Sequence, residues 1–327
     1  MIQRILIHNS KINNNNFHLI CSLRSALLQI TEVQVQVSSP SSLKLFVDNF
    51  EPELIIFFGG ENLSVDVVST IIEARAKLAL WTTEDPFEIR RNNEIAKYFD
   101  VIFTSDKGSQ KLYSHPNCYH LPLAAEANWF FHKVIENPDE LLWDLTFVGT
   151  AWPNRTKFIK DLVACLKQNN LTSRFILPTN PHIPSNNLVE INPVKFERDF
   201  RVAPKDLAKI YNYSLFSLTL FRDFSGDGNH KYQTSPTNRF YEMSLSGTGQ
   251  IIVSNDFNIQ EFYPEIEQQI FHCKNPQEIV KTIILSKENI EIRNQSAFTT
   301  QEFVIKKHSF LNRVQKLLSI VEGTNFN

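Results

Sequence analysis

The stretch Ser235–Asn255, SPTNRFYEMSLSGTGQIIVSN, decides how the rest of this 327-residue chain reads. Pro236 stops any helix arriving from upstream, Ser235 or Thr237 can serve as a cap, and a short helix is expected from Asn238. Gly247-Thr248-Gly249 then turns the chain into an apolar strand, Gln250 to Val253. A polar loop feeding a helix start offers free N–H groups to an anion. Glu242 falls one turn further in, where a carboxylate could take the paired hydroxyls of a ribose while the helix start holds a diphosphate. The plainer alternative is a helix, turn and strand of any α/β protein, with Glu242 on a solvated face.

Composition sets the frame. The length suits two domains of ordinary size better than one core. Lysine and arginine number 33 against 35 acidic residues, a balance that gives no field to gather nucleic acid or an anionic membrane. Cys21, Cys118, Cys165 and Cys273 stand singly, which fits a reducing cytosol. The opening MIQRILIHNS is too short in apolar residues for an export signal, and no apolar run reaches membrane-spanning length. The expectation is a cytoplasmic protein without a transmembrane segment.

Along the chain, apolar strands alternate with helical runs. Arg4–His8 reads as a buried strand, followed by the asparagine-rich loop 9–16 and a helix from Phe17 to Ile30. That loop lacks glycine, so a GxGxxG dinucleotide site is excluded. Thr31–Val37 and Leu54–Phe58 continue as strands, the second wholly apolar and ending at Gly59-Gly60, which implies a parallel sheet buried on both faces. A helix with Ser64 as cap and the strand Leu78–Trp81 lead into Thr82-Thr83-Glu84-Asp85-Pro86. Glu84 and Asp85 thus sit at a strand's carboxyl end, where open α/β sheets bind ligands, and could orient an acceptor hydroxyl or take its proton. Asp85 before proline also reads as a helix entry. A helix Phe87–Tyr98, strand Val101–Thr104, helix Lys107–Ser114 and strand Tyr119–Leu121 complete a first domain over residues 1–140.

A second domain, 141–299, begins with strand Leu145–Val148 and Gly149. The loop from Gly149 enters a helix at Thr156 and places Arg155 in its first turn, a site where a cation is mildly unfavourable unless an anion is near. After strand Arg174–Leu177 comes a proline- and asparagine-rich connection through Phe200, then helix Pro204–Tyr213 and strand Leu215–Phe221. The loop Arg222–Thr234 is expected to be a mobile lid, and its His230 has no second ligand at metal spacing. Residues 300–327 are taken as a single crossover helix, Thr300 to Val321, that covers apolar surface.

Four blocks in order, WTTEDP, VIFTSDKGSQKLY with LPLAAE, DLTFVGTAWPNRTKFI and SPTNRFYEMSLSGTGQIIVSND, resemble the CgeB-like spore-maturation glycosyltransferases from about Trp81 onward. The resemblance implies a GT-B fold: two Rossmann-like domains facing across a cleft, with a C-terminal helix crossing back to the first. It implies transfer of a sugar from a nucleotide-diphosphate sugar to a glycan, protein or small-molecule acceptor, retaining, with no cofactor and no metal. On matching positions, Arg155 would hold the diphosphate with the Thr237-Asn238 backbone, with Ser235 and Gly149 in the same donor site. Glu242 would bind the ribose. Arg239 is either a phosphate ligand or a strut between helix and sheet. Related retaining enzymes carry two glutamates eight positions apart, and here the first falls on Thr234. That departure keeps open a silent sugar-nucleotide-binding protein, beside a nucleotide-sugar epimerase or hydrolase.

Overall fold

The structure is a computed structural model that describes residues 2–11, 16–30, 32–60, 63, 65–177, 202–223, 233–254 and 257–323. Ser64, His230, most of the expected lid and most of the connection through Phe200 lie outside these residues.

The elements run β1 (Arg4–Asn9), α1 (Phe17–Leu27), β2 (Gln34–Ser38), α2 (Leu43–Phe50), β3 (Leu54–Phe58), α3 (Val65–Glu73), β4 (Lys77–Trp81), α4 (Ile89–Ala96), β5 (Val101–Thr104) and β6 (Cys118–His120). They continue as α5 (Ala127–Phe130), β7 (Trp143–Val148), α6 (Pro153–Gln168), β8 (Ser173–Ile176), α7 (Pro204–Asn212), β9 (Ser214–Leu220), α8 (Asn238–Leu245), β10 (Gly249–Val253) and β11 (Phe271–Cys273). Three helices close the chain: α9 (Pro276–Glu288), α10 (Ile290–Lys307) and α11 (Phe310–Glu322).

Two compact units result. The first comprises Met1–Ala125, Ser225–Ser235 and Ser309–Asn327, and the second Glu126–Phe224 and Pro236–His308. In the first, six parallel strands take the order β2-β1-β3-β4-β5-β6. Alternate side chains point to opposite faces of a strand, so continuous apolar runs bury both. Ile5, Ile7, Ile56, Phe58 and Trp81 pack with α1 and α11, while Leu6, Ile55, Phe57 and Leu80 pack with α2 and α3. Each such side chain contributes roughly 1.5–3 kcal/mol by leaving water.

In the second unit, five parallel strands take the order β11-β10-β9-β7-β8. One face is apolar, with Leu145, Phe147, Phe216, Leu218 and Ile251 in one cluster with residues of α6 and α9. The other carries buried hydroxyls and amides: Ser214 Oγ donates to Thr146 Oγ1 at 2.9 Å, and Gln250 Nε2 donates to Ser244 Oγ at 2.7 Å. The buried Arg293 of α10 donates to the carbonyls of Leu215, Ile135, Ser214 and Gly247 at 2.9–3.2 Å. Those bonds offset the cost of burying a cation that meets carbonyl dipoles.

Two expectations are corrected. The tail is two helices, because Ser309 Oγ accepts from Asn312 N–H while Asn312 Oδ1 accepts from Ser309 N–H, a capping box that starts α11 afresh. The expected helix Lys107–Ser114 is only a short turn, Gln110–Leu112, because Asp106 Oδ2 accepts from Ser109 N–H and Oγ–H and closes the backbone early. Helix α11 buries Phe310, Val314, Leu317, Leu318 and Val321 in the cluster that holds α1. β1 and the end of α11 meet nearby: Ile2 N–H donates to Glu322 Oε1 at 2.6 Å, and Lys77 Nζ to the carbonyl of Val321 at 2.7 Å. Two Rossmann-like lobes, with a C-terminal helix packed back on α1 of the first, make up the GT-B architecture.

Candidate functional site

Strand order in the second unit reverses at β7, whose neighbours are β8 on one side and β9 on the other. Ligands of open parallel sheets bind outside the carboxyl ends of the strands at such a reversal. Arg155 stands there, in the first turn of α6. Its Nε–H donates to the carbonyl of Leu220, the last residue of β9, at 2.8 Å, and its Nη1 to the carbonyl of Thr150 at 3.3 Å. Its guanidinium lies 5.7 Å from the Phe147 ring centroid. Gly149 is required beneath it, since a Cβ would come within 2.9 Å of Phe147 Cζ and 3.3 Å of Arg155 Nη1.

Burial, Arg222 and Arg239 push the Arg155 pKa down to about 9, with Asp223 opposing them. The group stays cationic at neutral pH, held beside two like charges. Arg222, just past β9, lies over the Trp152 ring at 5.4 Å. Arg155 and Arg222 therefore stand at the carboxyl end of β9, with the charge of Arg239 bearing on Arg155, an arrangement that an anion would relieve. Sequence reading missed Arg222, although it follows the apolar run Leu215–Phe221 as Glu84 and Asp85 follow Trp81. Asn154 was missed too: Nδ2 donates to the carbonyl of Phe221 at 2.8 Å, while Oδ1 is buried and accepts nothing among the described residues.

Helix α8 begins at Asn238, as expected, after Thr237. Thr237 does not cap it through its side chain, and its Oγ1 is buried without a hydrogen-bond partner among the described residues. Glu242 has no exposed surface. Asn238 Nδ2 donates to its Oε1 at 3.0 Å, and Arg239 Nη1 to its Oε2 at 2.6 Å, with the Arg239 side chain 31% exposed. Burial works against the Arg239 cation, but the Glu242 carboxylate and the Tyr211 hydroxyl outweigh it and hold its pKa above the ordinary value. Burial likewise lifts the Tyr211 phenol, against Arg239 and with Glu242. Arg155, Gly149, Thr237, Asn238, Arg239 and Glu242 thus share the second unit.

Ser235, Glu84 and Asp85 belong to the first unit. Ser235 is buried: its Oγ accepts from Lys107 N–H at 2.8 Å and lies 3.1 Å from His120 Nε2. Burial, Lys316, Arg313 and Lys107 push the His120 pKa down to about 4, so the imidazole is neutral. Asp106 Oδ1 accepts from Thr234 N–H, Thr234 Oγ1–H and Ser235 N–H at 2.6, 2.8 and 3.0 Å. Thr234, eight positions before Glu242, is thus bound to Asp106, a partner no local pattern reveals.

The acidic pair divides. Glu84 is about a quarter exposed and lies 3.4 Å from Lys11 Nζ. Asp85 is buried and accepts from Thr82 and Thr104 Oγ1, Tyr113 Oη and Asn92 Nδ2 at 2.6–3.0 Å. Burial raises its pKa, and those four donors oppose the rise. Among the described residues, no group of three or more His, Cys, Asp or Glu is placed to hold a metal ion, and no helix is long and apolar enough to cross a membrane.

The model of a family described as glycosyl transferase-like matches residues 127–319. The spore protein CgeB of Bacillus subtilis (strain 168) is 21% identical over 136 residues, 41% of this chain and 42% of that protein, so the alignment spans less than half of either. Among solved structures, an α-glucosyltransferase in complex with UDP and a 13-mer DNA has a TM-score of 0.69 at 12% identity, covering 98% of this chain and all of that one. Anabaena Alr3699/HepE in complex with UDP and glucose has a TM-score of 0.65 at 12% identity, covering 98% and 100%. A Listeria monocytogenes protein named for UDP-N-acetylglucosamine 2-epimerase activity has a TM-score of 0.62 at 10% identity, covering 99% and 98%. At these identities, the structural likeness is one of fold.

Proposed function

The chain belongs to the glycosyl transferase-like family, and from that premise we propose that it moves a sugar from a nucleotide-diphosphate sugar to an acceptor hydroxyl. The observation that carries the reading is Arg155 braced at the switch point of the second sheet, with Arg222 just past β9 and the charge of Arg239 bearing on it. The bond from the anomeric carbon to the diphosphate oxygen breaks, its electron pair leaves with the diphosphate, and the acceptor oxygen bonds to that carbon. Charge builds on the leaving group, so fixed cations and the N–H groups at the start of α8 favour the transition state over the ground state. Glu242 binds the ribose.

The acceptor proton goes to the departing diphosphate in a retaining transfer, and to Glu84 in an inverting one. Glu84 is the member of its pair whose side chain reaches solvent in part. Asp85 acts behind it, fixing the loop through its four donors. The acceptor, a glycan, protein or small molecule, belongs to the first unit. Thr234, bound to Asp106 where retaining relatives carry glutamate, favours a second reading: a protein that binds nucleotide sugars without transfer. Incubation with UDP-, GDP- and ADP-sugars, with and without acceptor sugars, separates the readings. Acceptor-dependent nucleotide release supports transfer, release without acceptor indicates hydrolysis, and tight binding without release indicates the silent protein. No shift in melting temperature with any nucleoside diphosphate would reject a nucleotide site altogether.

A further inference from the structure

Resting on the nucleotide-sugar reading, we propose that Arg239 is a specificity-determining gate, which lets Glu242 read a ribose only when the same ligand brings a diphosphate. Both Glu242 oxygens are engaged from within its own helix, Oε1 by Asn238 and Oε2 by Arg239. Arg239 is the outer member, partly exposed over a carboxylate that has no exposed surface. A ribose diol donates two hydroxyl hydrogens to a carboxylate, whose acceptor sites Asn238 and Arg239 do not exhaust, but Glu242 has no exposed surface beneath the Arg239 side chain. The ribose cannot reach Glu242 until Arg239 moves.

Arg239 has a second anion to go to. Its charge bears on Arg155, so it stands within the field of the cations at the switch point, and a diphosphate bound there attracts it directly. As its guanidinium turns to the phosphates, Glu242 Oε2 is released to the ribose of the same molecule. The exchange leaves no ion unpaired. Arg239 trades a carboxylate for a phosphate, and Glu242 trades a charged donor for two hydroxyls, whereas a buried carboxylate stripped of its partner without replacement is strongly unfavourable. A neutral nucleoside offers nothing to draw Arg239 away and must compete with an intact ion pair. The gate ties recognition of the sugar ring of the nucleotide to that of its phosphates, a linkage in which one group prepares the site for the other.

The test begins with the wild-type protein and UDP, or GDP or ADP if either binds more tightly. Removing both ribose hydroxyls, as in 2′,3′-dideoxy-UDP, is expected to weaken binding about tenfold or more by calorimetry. Arg239→Met opens the gate, so UDP should bind about tenfold more weakly while uridine competes at least tenfold better than it does against wild type. A strut or a plain phosphate ligand gives no gain for uridine. The double variant Arg239→Met/Glu242→Gln should lose most of that gain, and thermal melts report whether each variant is folded. A dideoxy diphosphate that binds as tightly as its parent overturns the gate even if Arg239→Met does not fold. So does a folded Arg239→Met against which uridine competes no better. If none of the three nucleoside diphosphates binds the wild type, the nucleotide-sugar reading itself fails.

Discussion

Arg155 donates its Nε–H to the carbonyl oxygen of Leu220 at 2.8 Å, so the cation that opens α6 is braced by the residue that ends β9. A brace of this kind fixes where the charge sits before any ligand arrives, which is the condition for electrostatic preorganisation.

Arg155→Ala is therefore expected to raise the dissociation constant for the tightest nucleoside diphosphate by about 10- to 100-fold, matching roughly 1.5–3 kcal/mol for a hydrogen bond to a charged group. Arg155→Lys should recover only part, since an ammonium cannot contact Leu220, Thr150 and a phosphate in one plane. Calorimetric titration, with melting curves as fold controls, measures both. Unchanged affinity in the alanine variant would remove Arg155 from the site.

The acidic pair should separate by readout. Asp85→Asn turns an acceptor of four hydrogen bonds into a group with one donating end, and a loss of about 2–4 kcal/mol in stability is expected. Glu84→Gln, on a side chain that is not buried, should leave the melting temperature within about a degree and lower turnover if Glu84 takes the proton. Denaturant titration and steady-state rates distinguish the two.

Acid should weaken the first unit through His8. The ring is fully buried, 3.0 Å from Ser38 Oγ through Nδ1 and 4.6 Å from the Phe57 ring, and burial pushes its pKa from 6.5 down to about 4. The unfolded chain binds the extra proton first, so stability holds above pH 6.5 and falls as the pH drops toward 4, by about 3 kcal/mol over the window. His8→Gln should flatten that slope by close to one proton. An unaltered pH profile for the variant would mean that another group carries the effect.

Asp106→Ala should be among the more damaging single changes outside the apolar core. It removes the acceptor for Thr234, Ser235 and Ser109 together and leaves the buried donors of Ser235 and Ser109 without it, a loss of about 3–5 kcal/mol. Chemical denaturation checks this. Thr234→Val, which loses the hydroxyl but keeps the backbone bond, should cost about a third as much.

How much of this was legible depended on how local each cause was. The apolar runs at Leu54–Phe58 and Leu215–Phe221 revealed parallel strands because their burial on both faces is written in consecutive residues. The start of α8 at Asn238 followed from Pro236 in the same way. Lys107–Ser114 has helical spacing, but Asp106 closes it into a turn while holding Thr234, 128 positions away. The break at His308-Ser309 carried a local signal, serine with asparagine three positions on, in a form weaker than the usual glutamate pairing. Glu242 and Arg239 could both be named as candidates from one helix, but only side-chain geometry shows the second covering the first.

The last helix, α11, has a consequence for synthesis. The six strands of the first sheet leave the ribosome before any residue of the second unit's sheet, yet the face built on Ile5, Ile56 and Trp81 is closed by Phe310, Val314 and Leu317. The first lobe to be made is thus the last to be completed. Throughout translation of the second, the part of that face which α1 does not cover stays open, the kind of apolar surface that holding chaperones bind and that aggregates when they do not.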